Sequence, residues 1–409
     1  MVDFDTEGRA YGRPAPSYDA ALVEVGPGTP GGELLRRYWH PVALAREATD
    51  LPKLIRRFGE DLILFRNRNG EAGLLYPRCA HRGVSLLYGR VEDDGIRCCY
   101  HGWKFGPKGH CLEQPAEPGG GVARGRIRQP WYPVVEKFGA IWTYMGPPEK
   151  QPAFPAFSHF ENLAEDEEIR PMYFSENFEI GPFPVDHNWF QFFENATDHF
   201  HVPILHAMIS GDQFMQRRMA IMPKVKWTLT EDGGGVLTHS VRHVDKDEDA
   251  YVRVAQVTLP NRIALPPFFG VGPSMELSFA IPMDDENHVV IHFERKKKDA
   301  PDLDFRELSG FGPEKKLWYE MTFEEHQRAP NDYEAMIGQG RITLHSEETL
   351  ATSDRGVGML RQLYRQQCKL VAEGGDPVGV GFDAASARVS VVAESWALAP
   401  DGERLETID

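Results

Sequence analysis

Two short segments of this chain each pair a thiol with an imidazole: Cys79-Ala80-His81 and Cys98-Cys99-Tyr100-His101. Two Cys and two His can bind zinc or an iron–sulfur cluster. Zinc fingers group their cysteines ahead of their histidines, whereas here each segment offers one ligand of each kind. That distribution suits a two-iron cluster with unlike irons, Cys79 and Cys98 on one and His81 and His101 on the other. A structural zinc site is the alternative reading. Replacing two thiolates by neutral imidazoles removes negative charge and raises the reduction potential. Cys99 competes with Cys98, but the two-residue gap to His101 selects Cys98 and leaves Cys99 for packing. Gly83 and Gly102 let backbone amides approach the sulfurs. Tyr100, Trp103 and Phe105 are candidates either to cover the metals or simply to fill the core.

A second group lies in residues 188–206, NWFQFFENATDHFHVPILH. A helix through it places Asp198 and His201 three apart on one face. His201 and His206 would stand about 140° apart around an ideal helix and could not share one metal. Pro203 resolves this. It disfavours helical geometry at Val202 and has no N–H to donate, so the helix is predicted to end near His201 and a turn to swing His206 back. Two imidazoles and a carboxylate make a non-haem Fe(II) site with open positions. Asp354, in TSDRGVGML, is the expected third ligand, because it opens a helix where a carboxylate is favoured. Ser353 or Thr352 could cap that helix instead; Glu347 and Glu348 are the reserves. His187, His199 and His345 are expected to be ordinary packed or exposed histidines.

The elements that carry these residues differ in kind. From Ile55 to about Met145 the chain reads as short strands (LILFRN, GLLYPR, GIRCCY, AIWTYM) broken by Gly, Asp and Asn, a compact all-β unit. The proline-rich stretch 146–157 reads as a boundary. Beyond it, residues 221–298 return to long strands, 314–328 and 352–372 read as helices, and 386–397 could be either a strand or a helix. This is an α+β second unit. The organisation predicted is a loose segment 1–31, an all-β domain 32–150 and an α+β domain 151–409. The pocket lining is expected from the strand segments around LPPFFGVG, 265–272, and LSFAIPM, 277–283.

The whole chain sets outer limits. Its 409 residues are enough for two domains, and the formal net charge of −16 argues against a nucleic-acid surface. Five cysteines, four of them within Cys79–Cys111, suit a metal site better than a disulfide framework. No signal-peptide pattern and no long apolar run is present, so a cytoplasmic protein off the membrane is expected. No Gly-x-Gly-x-x-Gly follows a strand, so electrons would have to come from a separate protein.

CAHRG with CCYHGWKF resembles the Rieske 2Fe–2S motif, and Glu194-Asn-x-x-Asp-x-x-His-x-x-x-x-His206 resembles the iron motif of Rieske non-haem iron ring-hydroxylating oxygenases. The likeness is strongest to the terminal oxygenase (alpha) subunits of the phthalate-dioxygenase-like and aryl-ether O-demethylase branch. NDYEAMIGQGRITLHSEETLATSDRGVGMLR resembles that branch's third-ligand region, with Arg361-Gln362 where an Arg pair is common. The resemblance implies a Rieske domain followed by a helix-grip-like antiparallel sheet holding a mononuclear Fe(II). It implies a terminal oxygenase that takes electrons from a separate NAD(P)H-dependent reductase, directly or through a ferredoxin. The substrate would be an aromatic molecule bearing a carboxylate or methoxy group, hydroxylated or demethylated with O2. It implies a homotrimer in which Asp198 bridges His201 to His101 of a neighbouring subunit, and it sets Asn195 beside the iron. A Rieske protein that only transfers electrons is the more remote alternative.

Overall fold

Alternation of apolar and polar residues, interrupted by Gly, Asp and Asn, produces antiparallel strands throughout the first third of the chain. The computed structural model describes residues 13–175, 180–211, 213, 218–243, 250–267, 270–301, 314–399 and 401–405. Three small sheets build the N-terminal part. Trp39–Leu44 pairs with Ala140–Tyr144, which pairs with Val134–Lys137. Lys53–Arg57, Glu60–Arg66, Ala72–Leu75 and Trp131–Tyr132 form the second sheet. The third runs Arg90–Val91, Ile96–Arg97, Lys104–Phe105, Cys111–Glu113. It carries a separate small core that includes Ile63, Phe65, Leu86, Ile96, Phe105 and both Cys79 and Cys98.

The C-terminal part is one large antiparallel sheet. Its main path is Glu167–Tyr173, His288–Lys297, Glu276–Pro282, Arg262–Ala264, Ala250–Thr258, Gly235–His243 and Lys224–Leu229. Strand Ala250–Thr258 is buried along its whole length, and its polar members Arg253 and Gln256 donate to the carbonyls of Pro267 and Ser390. The ambiguous segment near the C-terminus resolves as strands, Arg388–Val389 and Glu394–Leu398. The latter pairs with Ala250–Val254, where open backbone groups need a partner. Helices Trp189–Asn195 and Arg355–Ala372 pack on the sheet and against each other. Of the helix expected over 314–328, the chain forms a 3-10 turn at Trp318–Glu320 and a helix only from Phe323. Thr322 and Glu325 make a capping box that starts the helix there. Among the described residues no helix is long and apolar enough to cross a membrane.

The N-terminal segment and the proline-rich stretch are both packed against the rest of the fold. Residues 20–31 are ordered in helices Ala20–Val23 and Pro30–Arg36; the first twelve residues lie outside the described ones. Thr29 caps the second helix with Pro30 at its first position, a start signal that outweighs the local glycine content. Leu22, Leu34 and Leu35 are buried in the main core, and both helices pack on Arg355–Ala372. The proline-rich stretch is likewise no gap in the packing. Trp142 stacks on Phe293 at 5.5 Å and stands edge-on to Phe279 at 5.3 Å, joining the first sheet to the large one. Phe154 and Phe157 close around the same indole.

A fully buried Trp in such a seam predicts that Trp142→Ala costs about 3–5 kcal/mol. In guanidinium titrations its far-UV and fluorescence transitions should move together to lower denaturant.

Candidate metal centres and active site

The two Cys/His segments fold into the same loop twice. In the first, Cys79 N–H donates to Val84 O and Gly83 N–H to Cys79 O. In the second, Cys98 N–H donates to Trp103 O and Gly102 N–H to Cys98 O. Both loops turn on a left-handed glycine, Gly83 at φ 73° and Gly102 at φ 72°, a conformation that a side chain disfavours. The two thiols are buried in one core, and the rings of His81 and His101 meet with centroids 4.6 Å apart. Burial pushes the Cys79 thiol up to about 11; the His81 amide offsets part of this, and the neighbouring Cys98 adds to it. Deprotonating both thiols there requires a positive group between them. His81 Nδ1 is also buried without a partner. Two thiols and two imidazoles converging with an unsatisfied nitrogen fit a 2Fe–2S cluster. Cys99 is exposed, not packed. Trp103 lies flat on His81 at 4.3 Å and Phe105 is in the core, whereas Tyr100 is exposed against His101 with Arg82 over its ring.

The second constellation departs from a simple helix. The helix Trp189–Asn195, capped by Asn188, stops before Asp198. A new helical turn, His201–Pro203, then leads into a π turn, Ile204–Ile209. Pro203 does not end a helix as expected. It sits in a first turn, where its missing N–H is not needed. The wider π turn, closed by Ser210 N–H to Leu205 O, helps bring His206 back toward His201. Their ring centroids are 5.5 Å apart.

The carboxylate between them is Asp332. Its Oδ1 lies 3.4 Å from His201 Nε2 and 3.3 Å from His206 Nε2, and ligand atoms of the three residues all fall within 4.8 Å of one another. Asn195 Nδ2 donates to the same Oδ1 at 3.2 Å. Asp198 Oδ2 stands 3.4 Å from His201 Nδ1, on the far side of that ring. Burial opposes charge on His201, but Asp198 and Asp332 on its two nitrogens prevail and raise its pKa to about 10. Burial likewise opposes ionisation of Asp332, yet the two imidazoles hold its carboxyl well below the usual range. His206 Nε2 is buried and faces the same carboxylate oxygen. Without a metal, a proton serves as the cation that this donor set demands, so the residues fit a divalent iron.

Asp354 is not part of this group. It does open the long helix, as expected, but its Oδ2 turns back to accept from Ala351 N–H at 2.7 Å. The reserves are also engaged elsewhere: Glu348 pairs with Arg361 and Glu347 with Arg13. Asp332 carried a readable signal that was missed. Asn331 and Glu334 form a capping box, which marks residue 332 as the first position of the helix Asp332–Gly338.

A cavity of about 370 Å³ opens on the three residues. Val185, Phe192, Ile263, Leu265 and Met336 give it apolar walls, and Asn195, Asp198, Arg242, Arg253 and Glu276 are among its polar members. Leu265 and Pro267 contribute from the expected 265–272 segment; Phe268 and Phe269 lie outside the described residues, and the 277–283 segment does not line the cavity. His187 and His199 are buried in the cavity wall, and His345 accepts from Asp19 N–H.

Comparison with known proteins bears on this arrangement. Residues 38–133 match the Rieske [2Fe-2S] domain family. The chain is 43% identical to phenoxybenzoate dioxygenase subunit alpha of Ectopseudomonas oleovorans, over 96% of this chain and 94% of that one. The chain belongs to the Rieske oxygenases. It is an enzyme, a terminal oxygenase that carries a Rieske 2Fe–2S cluster and uses a mononuclear iron. A 5,5'-dehydrodivanillate O-demethylase oxygenase subunit from a Sphingobium species is 32% identical over 89% of this chain and 82% of that one. The fold matches the oxygenase of a solved oxygenase–ferredoxin complex of carbazole 1,9a-dioxygenase. That match has a TM-score of 0.56 at 20% identity and covers 85% of this chain and 94% of that one.

Iron analysis separates the two aspartates. Asp332→Ala should keep the Rieske absorbance and lose the mononuclear iron, about one of the roughly three irons expected per chain. Asp354→Ala should keep all of it and lose only the side-chain hydrogen bond that closes the 3-10 turn before the helix, about 1 kcal/mol.

Proposed function

We propose that this Rieske oxygenase hydroxylates an aromatic carboxylate, with Cys79, His81, Cys98 and His101 holding the cluster and His201, His206 and Asp332 holding the mononuclear iron. When bound, the cluster stores single electrons and the iron offers open positions to O2. The protein supplies orientation and charge. Asn195 and the imidazoles orient Asp332, and the apolar walls hold an aromatic ring beside the three ligands while excluding water.

One observation carries the substrate class. Arg242 is fully buried on the cavity wall, donating to Ser240 Oγ and Ile221 O, with no carboxylate partner among the described residues. Burial, with Arg253 nearby, lowers its pKa to about 10, which leaves it cationic at neutral pH. A guanidinium in an apolar cavity is matched by a substrate carboxylate, paired in a charge-assisted bond. The phenoxybenzoate-type relative is named for such a substrate. Loss of a methoxy methyl is the second reading, favoured by the O-demethylase relative. Substrate placement over one site decides between them.

Within one chain, no contact among the described residues joins Asp198 or His201 to His81 or His101. Transfer between the centres therefore calls for a second copy. In a ring-shaped trimer Asp198 would accept from His201 Nδ1–H and from the cluster histidine His101 of a neighbouring subunit. Electrons would come from a separate NAD(P)H-dependent reductase, directly or through a ferredoxin. The carbazole dioxygenase complex supports that partner class.

A screen of benzoates and methoxybenzoates with reductase, following O2 uptake and formaldehyde together, tests this reading. Product hydroxylation without formaldehyde is expected; formaldehyde in step with O2 would replace ring hydroxylation by demethylation. Arg242→Gln should raise KM for the carboxylate substrate about 10- to 100-fold, the loss of a charge-assisted bond of about 1.5–3 kcal/mol. An uncharged analogue should be nearly indifferent to the change. Asp198→Ala should leave both iron centres loaded and the cluster reducible, but abolish coupled turnover.

A further inference from the structure

His201 and His206 face the same carboxylate through Nε2, yet their outer nitrogens meet different chemistry. Behind His201 Nδ1 stands the carboxylate of Asp198. Behind His206 Nδ1, at 2.6 Å, stands the carboxamide oxygen of Gln213, and both side chains are buried. The orientation of that amide is dictated by its other end. Gln213 Nε2 lies 3.1 Å from Pro330 O, an atom that can only accept, and Ser210 Oγ donates to the same carbonyl. The amide NH2 must therefore point to Pro330 and the amide oxygen to His206. An oxygen of this kind has no proton to give, so Nδ1 carries the hydrogen, and Nε2 is left as the nitrogen that can give its lone pair to a metal in place of a proton shared with Asp332.

Gln213 is tied to His206 through the main chain as well, its N–H donating to His206 O at 3.0 Å. Pro330 lies two residues before Asp332. One carboxamide thus spans the turn that carries one ligand and the entry to the helix that carries another.

We propose that Gln213 is a positioning residue: it sets the tautomer of His206 and holds the π turn in register with the Asp332 helix, so that the metal finds its ligands already arranged. This rests on the reading of His201, His206 and Asp332 as iron ligands. Partners behind a ligating imidazole commonly change metal affinity about 10- to 100-fold when removed.

The test is metal binding, not turnover. Iron-stripped protein with its Rieske cluster intact is titrated with Co(II), followed by its visible absorbance, for wild type, Gln213→Leu, Gln213→Glu and His206→Ala. Gln213→Leu should weaken Co(II) binding about 10- to 100-fold, while Gln213→Glu, which still accepts from Nδ1–H but gives up the bond to Pro330 O, should fall between Gln213→Leu and wild type. Cluster absorbance and the melting temperature of the stripped protein should hardly change. Equal loss in Leu and Glu variants, or none in Gln213→Leu while His206→Ala loses binding, would overturn the proposal alone. Unchanged binding in His206→Ala would instead remove the ligand assignment beneath it. Should Gln213→Leu fail to fold, histidine 15N spectra of the stripped wild type decide the matter: His206 must carry a hydrogen on Nδ1, and an Nδ1 without one would refute the assignment.

Discussion

An ionised carboxylate shielded from bulk water and facing two imidazole nitrogens is stable only if a positive charge is shared among them. Asp332, His201 and His206 make such a group, and the rest of the catalytic half can be understood as what is needed to keep it assembled. The three ligand atoms come from segments more than 120 residues apart. Neither segment has reason to approach the other through local propensity. Tertiary packing must bring them together and hold them, with or without a metal, to within a few tenths of an ångström.

That holding is done by buried polar contacts rooted in the sheet and the long helix. Arg361, on the buried face of Arg355–Ala372, grips Glu194 with two bonds of 2.6 and 2.7 Å and also binds Glu348. Glu194 sits at the end of the helix that presents Asn195. Thr197 O, just beyond, accepts from the Trp227 indole on strand Lys224–Leu229. The irregular residues before His201 are therefore clamped from both sides. Breaking a buried charge pair of this kind on one side is far costlier than replacing both partners, which gives Arg361 a structural role that its sequence neighbourhood did not reveal.

The two Cys/His loops and the approach of His206 to His201 were legible in the sequence because each lies within a short segment. Spacing alone specifies two loops with one glycine each, and the structure sets the two thiols in one core and the two imidazoles in contact. The strand pattern was legible for the same reason. The carboxylate that faces the two histidines was not, since both Asp332 and Asp354 open helices and both look favourable to a helix dipole. What separates them is whether the carboxylate is free. Asp354 is spent on the Ala351 N–H of the 3-10 turn before its helix, whereas Asn331 takes over the capping at the other helix and releases Asp332 to face the histidines. Pro203 misled in a similar way: a proline reads as a stop, yet in a first turn it is a start. The order at residues 20–31 was hidden because small residues that suggest slack also permit close packing.

The two histidines show how one site can serve two demands. A carboxylate behind His201 can follow a change of charge across that ring, which suits the side through which electrons are proposed to arrive. A carboxamide behind His206 cannot. It accepts one hydrogen bond, fixes one tautomer and leaves the ring's charge unaltered, so this ligand is anchored instead of responsive. If both outer partners were carboxylates, a third negative charge would lie beside Asp332 and Asp198 in a poorly hydrated pocket, and substrate carboxylates would meet repulsion before reaching Arg242. A neutral partner at His206 keeps the ligand rigid while leaving the cavity's positive charge available to the substrate.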